Sequence, residues 1–225
     1  MQRKLLERAY KHAQATGFNG TDEASLLEHA GIAVSVVTGS ETNIKITRPD
    51  DLAIAYGLLR TGSTVIKIGH GFDAHRLVEG RKLILGGVEI PYHLGLAGHS
   101  DADVLTHALM DSILGALGAG DIGRHFPDYD DRYKGADSLK LLARVMELAR
   151  EKNMRLGNGD ITVICQQPKL ASYLSTMQDN LAAVCDMAAD DINIKATTTE
   201  KMGFAGRGEG ISAHAVVLMR STIII

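Results

Sequence analysis

The chain contains no tryptophan, and aromatic residues fill only 4% of its 225 positions. Nucleic-acid binders that stack bases on aromatic platforms are disfavoured by that shortage. Positive charge is not in excess either. The formal net charge is -3, which argues against a basic face for nucleic acid or a membrane surface. Cysteine is nearly absent. Cys165 and Cys185 are too few for a disulfide scaffold, and their spacing matches no zinc-ribbon or redox motif. A reducing, cytoplasmic setting is expected, or a plastid stroma in a plastid-bearing source. No run of about 18 apolar residues exists, so no membrane span is expected. The basic start MQRKLLERAYKHAQ is followed by no apolar stretch and does not read as a secretory signal or a transit peptide. Catalytic signatures are missing as well. There is no G-x-S-x-G elbow and no Walker A loop, and no G-x-G-x-x-G follows a strand.

What is present is ordinary globular material, 45% hydrophobic and 23% charged. The length fits one large domain or one and a half. Residues 3–15 carry an apolar stripe at helical spacing, and Thr21 is placed to cap a helix through Glu28. Val34–Val37 and Ile44–Thr47 read as short strands, and Pro49 opens a helix to about Leu59. TGST at 61–64 is the expected linker. Beyond it, strands are expected at 65–69, 82–85, 88–90, 160–165, 192–196 and 213–219, with helices at 101–117, 136–152 and 173–189. Ser100 is the expected cap of the first of these helices, with Asp103 as its acidic partner. The closing TIII reads as a strand end or a frayed tail. Strands interspersed with helices give an α/β or α+β class.

Two constellations could carry chemistry. Six of the nine histidines (70, 75, 93, 99, 107 and 125) crowd one stretch that is also rich in aspartate. Asp73 and His75 form D-x-H after a strand, and on an extended path both point to one side. Asp103, His107 and Asp111 recur every four residues as a polar stripe on an apolar helix. One imidazole from that stripe, joined to Asp73 and His75, would leave an open fourth position on a metal such as Zn²⁺. The stripe's carboxylates could then orient the ligand from behind. A solvated helix face beside a loop histidine fits the same spacing. The second constellation is TTTEKMGFAGRGEG at 197–210, with three hydroxyls, two cations and four glycines. Backbone amides freed by glycine, with Lys201 and Arg207, could hold phosphate, and Glu200 a hard cation. A flexible hairpin reads equally well. In GDIGRHFPD (120–128), Asp121 and Asp128 fit simple turn caps, and Cys165 sits in an apolar run as core. No cysteine is placed as a nucleophile. Phosphorus chemistry here would draw its nucleophile from the substrate or from metal-bound water.

Taken in order, GHGFDAH, GHSDADVLTHAL, GDIGRHFPD, KGADS and KATTTEKMGFAGRGEGI resemble 2-C-methyl-D-erythritol 2,4-cyclodiphosphate synthase over about residues 65–221. The resemblance implies an α+β fold, a mixed sheet with helices packed on one side, in a homotrimer with active sites between subunits. It implies conversion of 4-diphosphocytidyl-2-C-methyl-D-erythritol 2-phosphate to the 2,4-cyclodiphosphate with release of CMP, a step of the non-mevalonate isoprenoid pathway. Carried over by motif, Asp73, His75 and His107 would ligate Zn²⁺, with Asp73 and His75 also against substrate. His99 and Ser100 would contact the 2-phosphate region. Asp121, Ile122, Gly123, Phe126, Pro127, Asp128, Tyr129 and Asp130 would shape the methylerythritol pocket. Cys165, Gln166, Gln167, Pro168, Lys169, Leu170 and Ala171 would form the cytidine pocket, with Lys169 near the phosphates. Thr197, Thr198, Thr199 and Glu200 would continue it, and Glu200 would hold a second divalent cation, Mg²⁺ or Mn²⁺. Phe204 and Arg207 complete the match, and His99, Thr198 and Glu200 would act catalytically.

Residues 1–60 resemble the C-terminal end of 4-diphosphocytidyl-2-C-methyl-D-erythritol cytidylyltransferase, through TDEASLLEHAG and NIKITRPDDLAIA. Lys45 is the matching methylerythritol-phosphate lysine. The expected organisation is a truncated remnant at 1–60, a linker at 61–64 and a synthase domain at 65–225, as in a fused bifunctional enzyme. A metal-dependent phosphohydrolase and a trimeric isoprenoid-diphosphate binding module are the rival readings. These 225 residues lack that family's Gly-rich CTP loop, so no cytidylyltransferase activity is expected. CTP and methylerythritol phosphate incubated with the chain should leave no CDP-methylerythritol by chromatography; measurable product would overturn this.

Overall fold

The structure is a computed structural model, and it describes residues 3–40, 43–59 and 65–221. The chain divides into two compact units, Met1–Leu58 and Leu59–Ile225. The expected linker at 61–64 and the closing TIII at 222–225 lie outside the described residues.

In the first unit, α1 (Arg3–Thr16) and α2 (Glu23–His29) pack together, and α3 (Pro49–Leu59) follows. The α1 stripe buries Ala9 and Ala13 in a small core with Leu26 and Leu27 of α2. Asp22, not Thr21, caps α2. Its carboxylate accepts from the Ser25 amide at 2.8 Å, and the Ser25 hydroxyl accepts from the Asp22 amide. The expected strands at 34–37 and 44–47 are absent: both segments are irregular, and Val36 is 98% exposed. No described strand of this unit lies beside them, and an unpaired edge leaves its backbone groups to water.

The second unit begins with β1 (Ile66–Val78). Then come a hairpin of β2 (Leu83–Leu85) and β3 (Val88–Ile90), the short β4 (Gly95–Leu96), and helices α4 (Val104–Leu117) and α5 (Ile122–His125). Next are α6 (Ser138–Glu151), β5 (Met154–Ile164), α7 (Leu174–Cys185), β6 (Ile192–Thr197), α8 (Gly203–Gly206) and β7 (Gly210–Ser221). The main sheet runs β4-β1-β7-β5-β6, and β5 pairs with β6 in parallel while the remaining pairs are antiparallel. The class is therefore α+β with a mixed sheet. The strands extend beyond the expected apolar segments, because ladder pairing continues through polar residues such as Arg155 and Arg220.

Strand alternation decides which face is buried. On β7, Ile211, Ala213, Ala215, Val217 and Met219 point into the core, while Val216 is exposed. On β1 the inward positions begin with Gly69 and Gly71. Both lie against the backbone of α4: a Cβ on Gly69 would fall 1.8 Å from the Ser112 carbonyl oxygen, and one on Gly71 2.0 Å from that of Ala108. Helix and strand backbones thus touch with no side chain between them. Apolar residues surround α4 on its other sides. Leu105, Leu109, Ile113 and Leu114 are fully buried, each contributing roughly 1.5–3 kcal/mol by transfer from water.

The start of α4 differs from expectation. Asp103 rather than Ser100 is its cap, accepting from the Thr106 amide at 3.1 Å and the Thr106 hydroxyl at 2.8 Å. The Gly87 amide also donates to Asp103 at 2.8 Å, which ties the β2–β3 turn to the helix. Residues 101–103 stay outside the helix because Ala102 adopts φ 60°. The expected polar stripe is therefore not a solvated face: Asp103 and His107 are buried.

Gly71→Ala tests the backbone contact. The added methyl must push α4 off β1, so unfolding in urea should show a loss of about 1–3 kcal/mol or more. An unchanged midpoint would refute the contact.

Candidate active site

The inward face of β1 continues past its glycines to Asp73 and His75, and α4 presents His107 to them. The three donors converge. Asp73 Oδ2 lies 2.8 Å from His75 Nε2 and 2.9 Å from His107 Nδ1. The two imidazole nitrogens are 3.2 Å apart. Three donors about 2.0–2.2 Å from one ion in a tetrahedral shell would stand roughly 3.3 Å apart, so this triangle need open by only a few tenths of an ångström. Among the described residues, this is the group of His, Cys, Asp and Glu side chains that could hold a metal ion.

The tautomers follow from the partners behind the rings. His75 Nδ1 faces the Ala97 carbonyl oxygen at 2.7 Å. A carbonyl only accepts, so Nδ1 carries the proton and the Nε2 lone pair is free to bind. His107 Nε2 lies 3.1 Å from Ser100 Oγ and 3.0 Å from Ser138 Oγ, leaving Nδ1 toward Asp73. Gly98 makes room for the His75 ring: a Cβ there would fall 3.2 Å from His75 Cε1. Electrostatics favour the charged forms. Burial opposes ionisation of Asp73, but hydrogen bonds from His107 and His75 outweigh it and hold the carboxyl well below the usual carboxylate range. Burial likewise lowers the His75 pKa, yet the Asp73 carboxylate beside it raises the net value. In its charged form the His75 ring holds a second proton at Nε2 toward Asp73, and a cation would take the place of that proton.

The triad forms one wall of a cavity of about 230 Å³. His99 and Ser100 line it, together with Ile122, Gly123, Phe126 and Asp128. Asp121, Pro127, Tyr129 and Asp130 stand outside the lining. Asp121 caps α5 through the Arg124 amide, and Tyr129 is 90% exposed. Asp130 receives the Arg132 guanidinium, while its carbonyl oxygen meets His99 Nε2 at 3.2 Å.

A separate cavity of about 360 Å³ gathers Cys165, Pro168, Lys169, Leu170, Ala171, Thr197 and Thr198. Gln166, Gln167, Thr199 and Glu200 are not in its lining. The Cys165 thiol donates to the Gln167 carbonyl oxygen, and burial pushes its pKa up to about 11, which suits core packing and not nucleophilic attack. Glu200 is exposed and accepts from the Thr198 hydroxyl at 3.1 Å. Glu200 and Lys201 are both left-handed, at φ 51° and 69°, a strained turn that lies over Gly206. Phe204 lines a third cavity with His75 and Glu209, and Arg207 pairs with Glu209.

Three residues without an assigned role in the sequence hold the site together. Arg81 donates to the carbonyl oxygens of Gly98 at 3.0 Å and Ser100 at 2.6 Å, fixing the loop that carries His99. Asp101 accepts from the Ser138 amide and hydroxyl. Ser138 closes on His107. Its signal was the KGADS segment, which matched the family without indicating what its serine touches. Asp103, expected to orient His107 by its carboxylate, instead spends that carboxylate on the helix cap and the Gly87 amide. Asp111, the other stripe acid, accepts from the Ile122 amide at 2.7 Å and so anchors α5.

Comparison with known proteins agrees with this geometry. Residues 66–220 match the YgbB family, and residues 1–61 match 2-C-methyl-D-erythritol 4-phosphate cytidylyltransferase. The Bifunctional enzyme IspD/IspF of Desulfotalea psychrophila is 61% identical over 97% of this chain, which spans 57% of that protein. The 2-C-methyl-D-erythritol 2,4-cyclodiphosphate synthase of Syntrophotalea carbinolica is 63% identical over 69% of this chain and 94% of its own length. The structure of Plasmodium falciparum IspF in complex with CDP superposes with a TM-score of 0.61, at 36% identity over 69% of this chain and 96% of that one. Over residues 66–220 the chain belongs to the YgbB family of 2-C-methyl-D-erythritol 2,4-cyclodiphosphate synthases, preceded by a stretch of the cytidylyltransferase family at residues 1–61.

Proposed function

We propose that the chain converts 4-diphosphocytidyl-2-C-methyl-D-erythritol 2-phosphate to 2-C-methyl-D-erythritol 2,4-cyclodiphosphate and CMP. The observation that carries this reading is the convergence of Asp73, His75 and His107 beside His99 and Ser100 in a family of such synthases. The 2-phosphate oxygen forms a bond to the β-phosphorus of the same molecule. The bond between that phosphorus and the bridging oxygen breaks, and the electron pair leaves with CMP. No protein nucleophile is needed, which suits a site whose cysteine thiol is raised out of reach. Catalysis is then positioning and charge neutralisation.

The residues divide the work. His99 and Ser100 receive the 2-phosphate at the mouth of the triad. Ile122, Gly123, Phe126 and Asp128 enclose the methylerythritol chain, and Asp121, Pro127, Tyr129 and Asp130 shape the segment around it. Pro168 to Ala171, with Cys165, Thr197 and Thr198, accept the cytidine, and Lys169 faces its phosphates. Gln166, Gln167, Thr199, Phe204 and Arg207 border the nucleotide and diphosphate. The donor set of one carboxylate and two imidazoles fits Zn²⁺, which would polarise the 2-phosphate, while Mg²⁺ or Mn²⁺ near Glu200 would neutralise charge on the departing CMP.

The active form in this reading is a homotrimer. Two observations support it. The sheet face away from α4 leaves Ile66, Ile68, Phe72 and Val216 between 45% and 71% exposed, an adjoining apolar row of the kind that marks contact with another protein surface. The triad cavity and the cytidine cavity also share no lining residue, so a site completed between neighbouring subunits would join them. The chain would work in the cytoplasm; among the described residues no helix is long and apolar enough to cross a membrane.

Purified protein should contain zinc by elemental analysis and release CMP, with a cyclic diphosphate as co-product by ³¹P NMR. An open phosphate would favour a metal-dependent phosphohydrolase, and tight isoprenoid-diphosphate binding without turnover a binding module. His107→Ala should lose the zinc and drop turnover to below about one-hundredth of the parent; full activity without zinc would sink the assignment. Sedimentation equilibrium should return three times the chain mass, and a monomer active at nanomolar dilution would remove the composite site.

A further inference from the structure

We propose that Ser138 and Asp101 are positioning residues for the metal ligand His107. They would fix its tautomer so that the Nδ1 lone pair faces the ion. The inference rests on the metal-dependent reading above and extends it to residues that touch neither the metal position nor its cavity.

The direction of each hydrogen bond is decisive. Asp101 grips the first residue of α6 twice. Its Oδ2 accepts from the Ser138 amide at 3.0 Å, and its Oδ1 accepts from the Ser138 hydroxyl. An ionised carboxylate can only accept, so the Ser138 proton points at Asp101. The lone pairs of Ser138 Oγ are then what His107 Nε2 meets at 3.0 Å, and that nitrogen must donate. The Ser100 hydroxyl oxygen, at 3.1 Å from the same nitrogen, already accepts from the Ala102 amide at 3.1 Å. Ser138 thus requires an N–H at Nε2, and the Ser100 oxygen has a second lone pair with which to share it. With Nε2 protonated, the neutral ring has its bare nitrogen at Nδ1, 2.9 Å from Asp73.

Burial makes the arrangement binding. Ser138 is fully buried and His107 is 8% exposed, so water does not offer an alternative acceptor at Nε2. The chain of contacts also crosses three segments: α4 supplies the imidazole, the loop before it the carboxylate, and the start of α6 the hydroxyl. A charge held one hydroxyl away raises the basicity of the imidazole as a ligand. His75 has a different device, the Ala97 backbone carbonyl, and needs no side chain for the same task.

Ser138→Ala removes the hydroxyl and leaves the backbone amide bond to Asp101, so the start of α6 keeps its anchor. We expect zinc affinity, measured by chelator competition, to fall about 10–100-fold. In metal-free protein in alkaline buffer, ¹⁵N shifts of His107 should change from the Nε2–H tautomer toward a mixture. Those of His75 should not move, which separates positioning from general loosening. Zinc affinity within about twofold of the parent with unmoved His107 shifts would overturn the proposal. If the alanine variant folds poorly, Asp101→Asn decides the same question by the same two readouts, because it keeps the hydroxyl and removes the charge that orients it. A parent that binds no zinc would also overturn the proposal. A parent that binds zinc but releases no CMP would sink the proposed reaction and leave the zinc and tautomer readouts to decide this proposal.

Discussion

The site depends on one packing constraint, the contact of α4 with β1 through Gly69 and Gly71. An α-helix normally rides on a sheet at the distance set by intervening side chains. Here the strand has none at two successive inward positions, and helix carbonyls at Ser112 and Ala108 occupy their place. Helix and strand are locked at contact distance. The next inward residues of the same strand are Asp73 and His75, and His107 directly precedes Ala108 on the same helix. The short approach that needs glycine at one end of the contact brings the donors to within 2.8–3.2 Å at the other. A helix one side chain further away would leave His107 out of reach, however well each residue was placed in its own element.

Convergence of lone pairs is costly unless something behind each ring holds its proton. The fold meets that need with unlike parts: a backbone carbonyl at Ala97 for one histidine, and serine hydroxyls backed by Asp101 for the other. It also places the helix cap so as not to compete. Asp103 ends the loop and starts α4, which leaves Ser100 and Asp101 outside the helix, with their side chains bonded to His107 and Ser138. Had the helix begun at Asp101, both would have been spent on its first turn. Capping and metal geometry are thus the same structural decision, made by the left-handed Ala102.

Much of this was legible in the sequence, for reasons that can be stated residue by residue. The D-x-H pair followed a strand, so its two side chains had to share a face. The periodicity of α4 set His107 on a polar stripe of an otherwise apolar helix, and the structure shows that Asp103 and His107 of this stripe are buried. Family motifs then joined segments that no local rule connects. What could not be read was long-range direction. Thr21 and Asp22 are both good caps, and the reciprocal bond with Ser25 selects Asp22; Ser100 and Asp103 are also both good caps, and there a distant partner, the Gly87 amide, joins Asp103. Val34–Val37 and Ile44–Thr47 have strand composition, but a strand is a property of pairs, and no described neighbour completes theirs. Arg81 and Ser138 carry no catalytic signature because they act through a carbonyl oxygen and another side chain.

The scarcity of aromatics takes on a different meaning once the cavities are seen. It argues against a stacking platform for nucleic acid, yet the proposed substrate contains a base. The cavity proposed for cytidine is lined by Cys165, the segment from Pro168 to Ala171, Leu174, Ala196 and two threonines, with no aromatic ring among them. Cytosine is small and presents both donors and acceptors along one edge, so backbone groups of a β-strand end can satisfy it by hydrogen bonding where a stacked ring would offer only area. Such recognition requires a rigid backbone. The β5 and β6 ends supply one: they pair in parallel up to Ile164 and Thr197, and the Cys165 amide donates to the Thr197 carbonyl oxygen just beyond. Rigidity from the sheet can therefore stand in for aromatic surface in the cytidine site proposed for this chain.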